Sequence, residues 1–350
     1  MRILIATPEF PPKVGGMGRS AYRIGRAFVD AGHATTILTY DRSVDTQVTP
    51  YTKIECSNDN DLRVLRVGPI AAKRTGVVPQ VKATLKRQFV AQSLRTIQEC
   101  PLPEIVFSLG LIDAGFVGLC ISQTLGCPHV VSARGADVGT EIFQSEKFPL
   151  AQWVISRSSA VTFVNKYLFE VATAVFGRSN NQYVIKNGIA DIGEITAQQR
   201  ERWRIEMRDR LSIPLNAEVI GWTGTFRQKK GIQFLDQAFR ILVNENRNVY
   251  LLIVGGPRNE IERALCPSLD DTGDLGKRIR RVGLVEKPTD VYPYYASMDT
   301  FMYPSLDDGM SNSILEAMAF GLPVVATDIF ADVATHNETA LLVQRFDAPA

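Results

Sequence analysis

The chain is poor in the residues that staple or metallate small proteins. Its five cysteines, Cys56, Cys100, Cys120, Cys127 and Cys266, are odd in number and form no CxxC pair. That excludes a disulfide framework or a cysteine zinc site and suits free thiols in a reducing compartment. The three histidines, His33, His129 and His336, show no metal-ligand spacing. Charge of one sign is also missing, since 39 Lys+Arg against 37 Asp+Glu leave +2. A dedicated nucleic-acid binder is normally more basic, so that class recedes. Long apolar runs are absent too. The N-terminal run meets Pro8 too soon for a signal-peptide core, and the longest uncharged stretch, 114–133, carries three glycines and Pro128. Neither reads as a targeting or membrane-spanning segment, and a cytoplasmic protein is expected.

What remains is ordinary globular composition, 45% apolar and 22% charged, over 350 residues. One core rarely grows beyond about 250–300 residues, so two domains are expected. Periodicity agrees. Ile3-Leu-Ile-Ala is a buried-strand run, a loop rich in proline and glycine follows, and Ala21, Ile24, Ala27, Phe28 and Ala31 form a helical stripe. Gly32 stands where a helix ends, and Thr36-Ile-Leu-Thr-Tyr resumes as a strand, giving a βαβ unit. Short apolar strands recur at 104–108, 128–132, 160–164 and 183–185, then at 218–222, 249–254, 281–284, 300–303 and 323–327. The predicted fold class is α/β, two Rossmann-like doubly wound domains facing a cleft, at 1–187 and 216–350, with a charged linker region at 188–215. Asp347 and Pro349 resemble a helix start with no helix after it, which suggests a truncated C-terminal end.

Four segments could carry chemistry. The first is Pro304-Ser-Leu-Asp-Asp-Gly-Met-Ser-Asn-Ser-Ile-Leu-Glu-Ala-Met-Ala-Phe-Gly321, placed between a strand and a helix. Amides of Gly309, Met310, Ser311, Asn312 and Ser313 above a helix N-terminus suit a diphosphate. The flanking Asp308 and Glu316, eight apart, suit hydroxyl-rich ligands. Alternatively, Ser313-Ile-Leu-Glu316 is a capping box, with Glu316 a reciprocal cap. The second is the loop 221–231, where Arg227, Lys229 and Lys230 precede a helix and could neutralise a phosphate leaving group. It could equally be a solvated basic loop, and it does not match the P-loop pattern. The third is Gly15-Gly16-Met17-Gly18, an incomplete GxGxxG that could serve only close packing. The fourth is Arg134-Gly-Ala-Asp137 after a strand, which could be catalytic or merely hold its loop.

Taken in order, the early Gly-Gly loop, Gly32-His33, Arg134 to Asp137, Asn187-Gly188, Lys230-Gly231 and the acid-x7-Glu segment resemble glycosyltransferase family 4. The resemblance implies a retaining enzyme of the GT-B fold, with an N-terminal acceptor domain and a C-terminal donor domain. It implies that Lys230 binds the diphosphate of a nucleoside diphosphate sugar, Asp308 touches the sugar and Glu316 holds the ribose. By the same resemblance the amides of 309–313 meet phosphates and sugar, and Gly16 approaches the donor. Three departures stand out. Asp308 replaces the usual Glu, Thr225 stands where a basic residue is common so that Arg227 would substitute, and Arg134 stands in place of a common His near the reacting sugar.

The implied catalytic set is Asp308, Lys230 and Arg134, and the implied binding set is Gly16, Arg227, Lys230, 309–313 and Glu316. No metal or cofactor is expected beyond the nucleoside diphosphate sugar, which is a substrate. The expected function is transfer of a hexose-type sugar to a glycan, lipid-linked or small-molecule acceptor in polysaccharide or glycolipid biosynthesis. Alternatives are a non-catalytic nucleotide-sugar-binding subunit, an epimerase or a phosphorylase. Finally, 63–95 holds eight basic residues and no acid, with a helical stripe of Val81, Leu85, Phe89, Val90, Leu94 and Ile97. The stripe reads as a helix on the first sheet, and the charge as a peripheral contact with an anionic membrane.

Overall fold

The computed structural model describes residues 1–12, 15–40, 54–59, 61–67, 90, 93–95, 97, 101–189, 192–245, 247–285 and 287–347. The chain divides into two units, Met1–Lys186 and Asn187–Ala350.

The first unit is built on eight strands: β1 (Arg2–Thr7), β2 (Ala34–Tyr40), β3 (Ile54–Asp59), β4 (Leu62–Val67), β5 (Ile105–Leu109), β6 (His129–Ala133), β7 (Ala160–Phe163) and β8 (Gln182–Val184). They lie in the order β3-β4-β2-β1-β5-β6-β7-β8, all parallel except the edge strand β3. β1 shows why both faces must be covered. Ile3 and Ile5 pack with Ala21, Ile24 and Phe28 of the helix Gly16–Asp30. Leu4, between them, points the other way, into a cluster with Val117 and Ile121 of the helix Asp113–Leu125. A strand buried on both sides reads as a continuous apolar run, which is how β1 was recognisable. The hairpin β3–β4 was not, because β3 is mostly polar, the apolar residues of β4 are interrupted by Arg63 and Arg66, and the turn bears Asp61 at φ +67. In the first helix, Gly32 at φ +81 closes a Schellman motif. Its N–H bonds the carbonyl of Val29, and that of His33 bonds the carbonyl of Phe28 at 2.9 Å.

The second unit has β9 (Glu218–Thr225), β10 (Val249–Gly256), β11 (Ile279–Val282), β12 (Thr300–Tyr303), β13 (Val324–Thr327) and β14 (Leu341–Val343). Their order, β11-β10-β9-β12-β13-β14, is fully parallel. In both sheets the direction of winding reverses beside the first strand, between β1 and β5 and between β9 and β12. Crevices at the carboxyl ends of such strands are where open α/β sheets hold ligands.

The segment 188–215, expected as a linker, instead belongs to the second unit and carries the helix Ala197–Arg210. Its anchor is Arg208, fully buried, which donates to the carbonyls of Ser297, Leu215 and Ala217 and pairs with Asp299 at 2.7 Å. A run of surface charges hid one arginine that faces inward.

Of the basic stretch 63–95, Lys73, Arg74, Lys82, Lys86 and Arg87 lie outside the described residues, as do Val81, Leu85 and Phe89 of the stripe. Val90, Leu94 and Ile97 pack on the β1–β4 side of the first core. Arg66 is committed internally, donating to the carbonyl of Pro11 at 2.6 Å with its guanidinium over the Phe10 ring. Among the described residues no helix is long and apolar enough to cross a membrane, and no group of three metal-ligating side chains occurs. Residues 348–350, where a last helix was expected to begin, are outside the described residues.

Candidate active site

In the second unit the two strands flanking the reversal, β9 and β12, deliver the two segments singled out from the sequence. After β9 the chain turns through Gln228–Lys230 into the helix Ile232–Asn244. After β12 it runs from Pro304 to Ser311, which stands at the N-cap position of the helix Asn312–Ala319. The loops are bonded to each other. The carbonyl of Lys229 accepts from the amide of Leu306 at 2.8 Å and the hydroxyl of Ser305 at 2.9 Å. Gly231 makes the approach possible. It sits at φ +65, and a Cβ there would stand 1.7 Å from the carbonyl oxygen of Pro304.

This clasp sets Lys230 Nζ against Asp308 Oδ2, both side chains mostly buried. The ammonium also lies 5.2 Å from the centre of the Tyr303 ring, and the Tyr303 hydroxyl reaches Asp308 at 3.5 Å. Burial alone would lower the Lys230 pKa, but Tyr303 and Asp308 outweigh it and hold the lysine firmly protonated. Burial raises the Tyr303 hydroxyl, so it stays neutral. A lysine ammonium has three N–H donors, so its bond to Asp308 leaves capacity for an incoming phosphate.

Glu316 sits one turn into the helix and accepts from the Tyr295 hydroxyl at 2.9 Å. That hydroxyl also lies 3.0 Å from the Thr223 hydroxyl, and burial, reinforced by the Glu316 charge, pushes its pKa well up. The capping-box alternative is corrected here. The N-cap position is Ser311, whose side chain makes no capping bond, and Ser313, inside the first turn, turns its hydroxyl to the carbonyl of Thr223 at 3.3 Å. Gly309 donates its amide to Asp308 Oδ1 at 3.0 Å, and Asn187 binds the far side of the loop through the sulfur and carbonyl of Met310. Arg227 is exposed. Glu262, bound chiefly by Arg258, also feels the Arg227 charge.

In the first unit Gly16 opens the helix Gly16–Asp30, and a Cβ added there would meet nothing within 4 Å. Its neighbours differ. A Cβ at Gly15 would strike the Glu9 carboxylate, and one at Gly18 would lie in van der Waals contact with the backbone of Glu9 and Phe10. Asp137 is a loop staple: its carboxylate accepts from the amides of Leu111 at 2.9 Å, Arg134 at 2.9 Å and Gly135 at 2.7 Å. Arg134 is partly buried. Burial pushes its pKa down to about 10, with Asp137 opposing and Arg23 adding to the fall.

Within each unit, then, the fold assembles what the sequence separated. Lys230, Asp308, the 309–313 loop and Glu316 gather in the second unit, and Gly16 and Arg134 stand in the first. Sequence reasoning missed Tyr303, Tyr295 and Thr223. Only the position of Tyr303 at a strand end before the acidic loop hinted at its role.

Comparison with known proteins follows the same division. Residues 15–188 match the glycosyl transferase 4-like domain, and residues 217–350 match the glycosyl transferases group 1 family. The capsular polysaccharide biosynthesis glycosyltransferase CapM of Staphylococcus aureus is 31% identical over 135 residues, 38% of this chain and 34% of that protein. An uncharacterized glycosyltransferase of Methanocaldococcus jannaschii is 24% identical over 345 residues, 94% of this chain and 81% of its own. The chain spans between a third and three fifths of the length of the curated relatives CapM and TuaC, a putative teichuronic acid biosynthesis glycosyltransferase of Bacillus subtilis. Among solved structures, the sucrose-phosphate synthase of Thermosynechococcus elongatus superposes with a TM-score of 0.79 at 19% identity, covering 100% of this chain and 87% of that one. Anabaena HepE in complex with UDP gives 0.73 at 17% identity, covering 99% and 87%. Two parallel-sheet α/β units of GT-B type, matched along nearly their whole length, place the chain in the group 1 glycosyltransferases with a glycosyltransferase 4-like N-terminal half.

Proposed function

We propose that this chain is a retaining, metal-independent glycosyltransferase that moves a hexose-type sugar from a nucleoside diphosphate sugar to an acceptor hydroxyl. The relatives' names point to polysaccharide biosynthesis as its setting. One observation carries the reading: the loops after β9 and β12 clasp Lys230 against Asp308 directly ahead of the N-terminus of the helix Asn312–Ala319.

The barrier in such a reaction is departure of the diphosphate from a sugar that becomes cationic. The C1–O bond to phosphate breaks, a C1–O bond to the acceptor forms on the same face, and the acceptor proton passes to the departing phosphate. In this reading the Lys230 ammonium and the helix N-terminus stabilise the growing negative charge, with Arg227 free to swing toward it. Asp308 takes sugar hydroxyls. Glu316, held by Tyr295, takes those of the ribose. Gly16, which its own unit does not need for packing, leaves the entrance of its helix open to a substrate.

A thermal-shift panel of nucleotide sugars tests the proposal, because a ligand stabilises in proportion to its affinity. One nucleotide sugar should raise the melting temperature and be hydrolysed slowly, and both effects should disappear in Lys230→Ala and Asp308→Ala. Binding without any release of nucleoside diphosphate would instead indicate a non-catalytic subunit. Retention is read by NMR of the anomeric proton in the product.

A further inference from the structure

We propose that Asn187 is a positioning residue for the loop 309–313, fixing the direction in which that loop offers the Ser311 amide to a ligand diphosphate. Asn187 opens the second unit, directly after Lys186 ends the first. Two of its donors go to one residue of the loop, 123 positions further on. The backbone N–H meets the Met310 sulfur at 3.1 Å, and the side-chain Nδ2 donates to the Met310 carbonyl at 3.4 Å. A thioether is a weak acceptor and 3.4 Å is a long bond, so each contact is modest alone. Together they hold the side chain and the carbonyl of a buried residue at once.

The carbonyl contact carries the consequence. A trans peptide is planar, so the carbonyl of residue 310 and the N–H of residue 311 point in opposite directions. Among the described residues the cis bond is Pro11–Pro12, so this peptide is trans. Turning the Met310 carbonyl to Asn187 therefore turns the Ser311 N–H away from it. Ser311 is buried, yet among the described residues its N–H makes no hydrogen bond. Buried amides are nearly always paired, and a ligand oxygen completes this one. Gly309 differs, since its amide is already given to Asp308 Oδ1 at 3.0 Å.

The surroundings select the ligand. The Ser311 hydroxyl makes no capping bond and bears instead on the Tyr303 hydroxyl, which also feels Lys230 and Asp308. Ser311 thus stands beside the lysine at the start of the helix Asn312–Ala319. An amide next to an ammonium at a helix N-terminus suits a phosphate oxygen. Asn187 itself touches no ligand and acts through Met310. The inference rests on the transferase reading for naming that phosphate as part of a diphosphate.

Titration calorimetry on the full chain tests this with inorganic pyrophosphate, UDP and uridine. Asn187 does not hold a left-handed backbone, so alanine imposes no strain there. Asn187→Ala should keep the melting temperature and weaken pyrophosphate and UDP by about three- to tenfold, the worth of one modest hydrogen bond. Uridine, which has no phosphate, should bind variant and wild type alike. Asn187→Leu, which keeps bulk without the donor, should match Asn187→Ala and replaces it if that variant does not fold. By NMR, the Ser311 amide proton of the wild type should move downfield as pyrophosphate is added, and move less in the variant. Unchanged affinities in both variants, equal losses for UDP and uridine, or a Ser311 amide indifferent to bound pyrophosphate would overturn the proposal. Lys230→Ala keeps two failures apart. If it abolishes binding while Asn187→Ala changes nothing, this inference alone falls. If the wild type binds neither pyrophosphate nor UDP, the transferase reading falls and takes the inference with it.

Discussion

At the scale of single residues, two glycines separate packing from function. Gly231 holds a left-handed conformation, and its Cβ position is occupied by the carbonyl of Pro304. Gly231→Ala should therefore destabilise the second unit by roughly 2–4 kcal/mol, which urea denaturation would register. Gly16 is helical and open around its Cβ position. Gly16→Ala should leave the melting temperature unchanged or slightly higher, since alanine is the better helix former. In the proposed reading it should nevertheless depress transfer, so activity falling with stability intact is the outcome to look for. Lys230→Ala should lower kcat by about 10²–10³, the usual cost of one preorganised charge at a leaving group. Of the site residues, Lys230, Asp308 and Glu316 were legible because loop, strand and helix signals frame them. Tyr295 and Tyr303 were not, because their partners are distant in the chain and an aromatic in an apolar run is ordinarily core.

At the scale of elements, buried polar groups do the fastening. The helix Ala197–Arg210 is held by Arg208, whose guanidinium serves three carbonyls and Asp299. Arg208→Met should cost about 3–5 kcal/mol, because carbonyls and a carboxylate lose a buried donor together. In the first unit His129 at the start of β6 is enclosed between Ser108 at 2.8 Å and Ser158 at 2.9 Å. Burial pushes its pKa down to about 4 from the ordinary 6.5. The unfolded chain therefore binds a proton between pH 6.5 and 4 that the folded chain refuses, and stability falls as pH drops through that window. The loss at pH 4 should be on the order of 3 kcal/mol, and His129→Gln should flatten this part of the pH profile in urea melts. The hairpin β3–β4 marks the limit of pattern reading. An edge pair is fixed by its partner strand β2 more than by its own periodicity.

At the scale of the whole molecule, two units share one pattern of winding. In the proposed reading, UDP should slow amide hydrogen exchange across 225–231 and 309–313 and leave 15–18 much less affected. Equal protection everywhere, or none in those loops, would count against a donor site in the second unit. Membrane contact through 63–95 is a separate expectation. Arg66 is already used within the fold, so binding to anionic liposomes in flotation would have to come from the remaining basic residues. Equal and negligible flotation with neutral and anionic lipid would remove the idea.

The sequence by itself determined two alternating β/α series, because a strand covered on both faces must be a continuous apolar run and its helices must show one apolar stripe. It also marked the loops after β9 and β12 as candidate places for chemistry, since glycine, cations and acids cluster there between regular elements. Only the tertiary structure decided which polar residues meet. It joined Lys230 to Asp308 across 78 positions and gave Glu316 to Tyr295. It turned one arginine of a charged helix inward. Local patterning reports burial within one element, whereas the pairing of charges is settled between elements, where sequence distance carries no information.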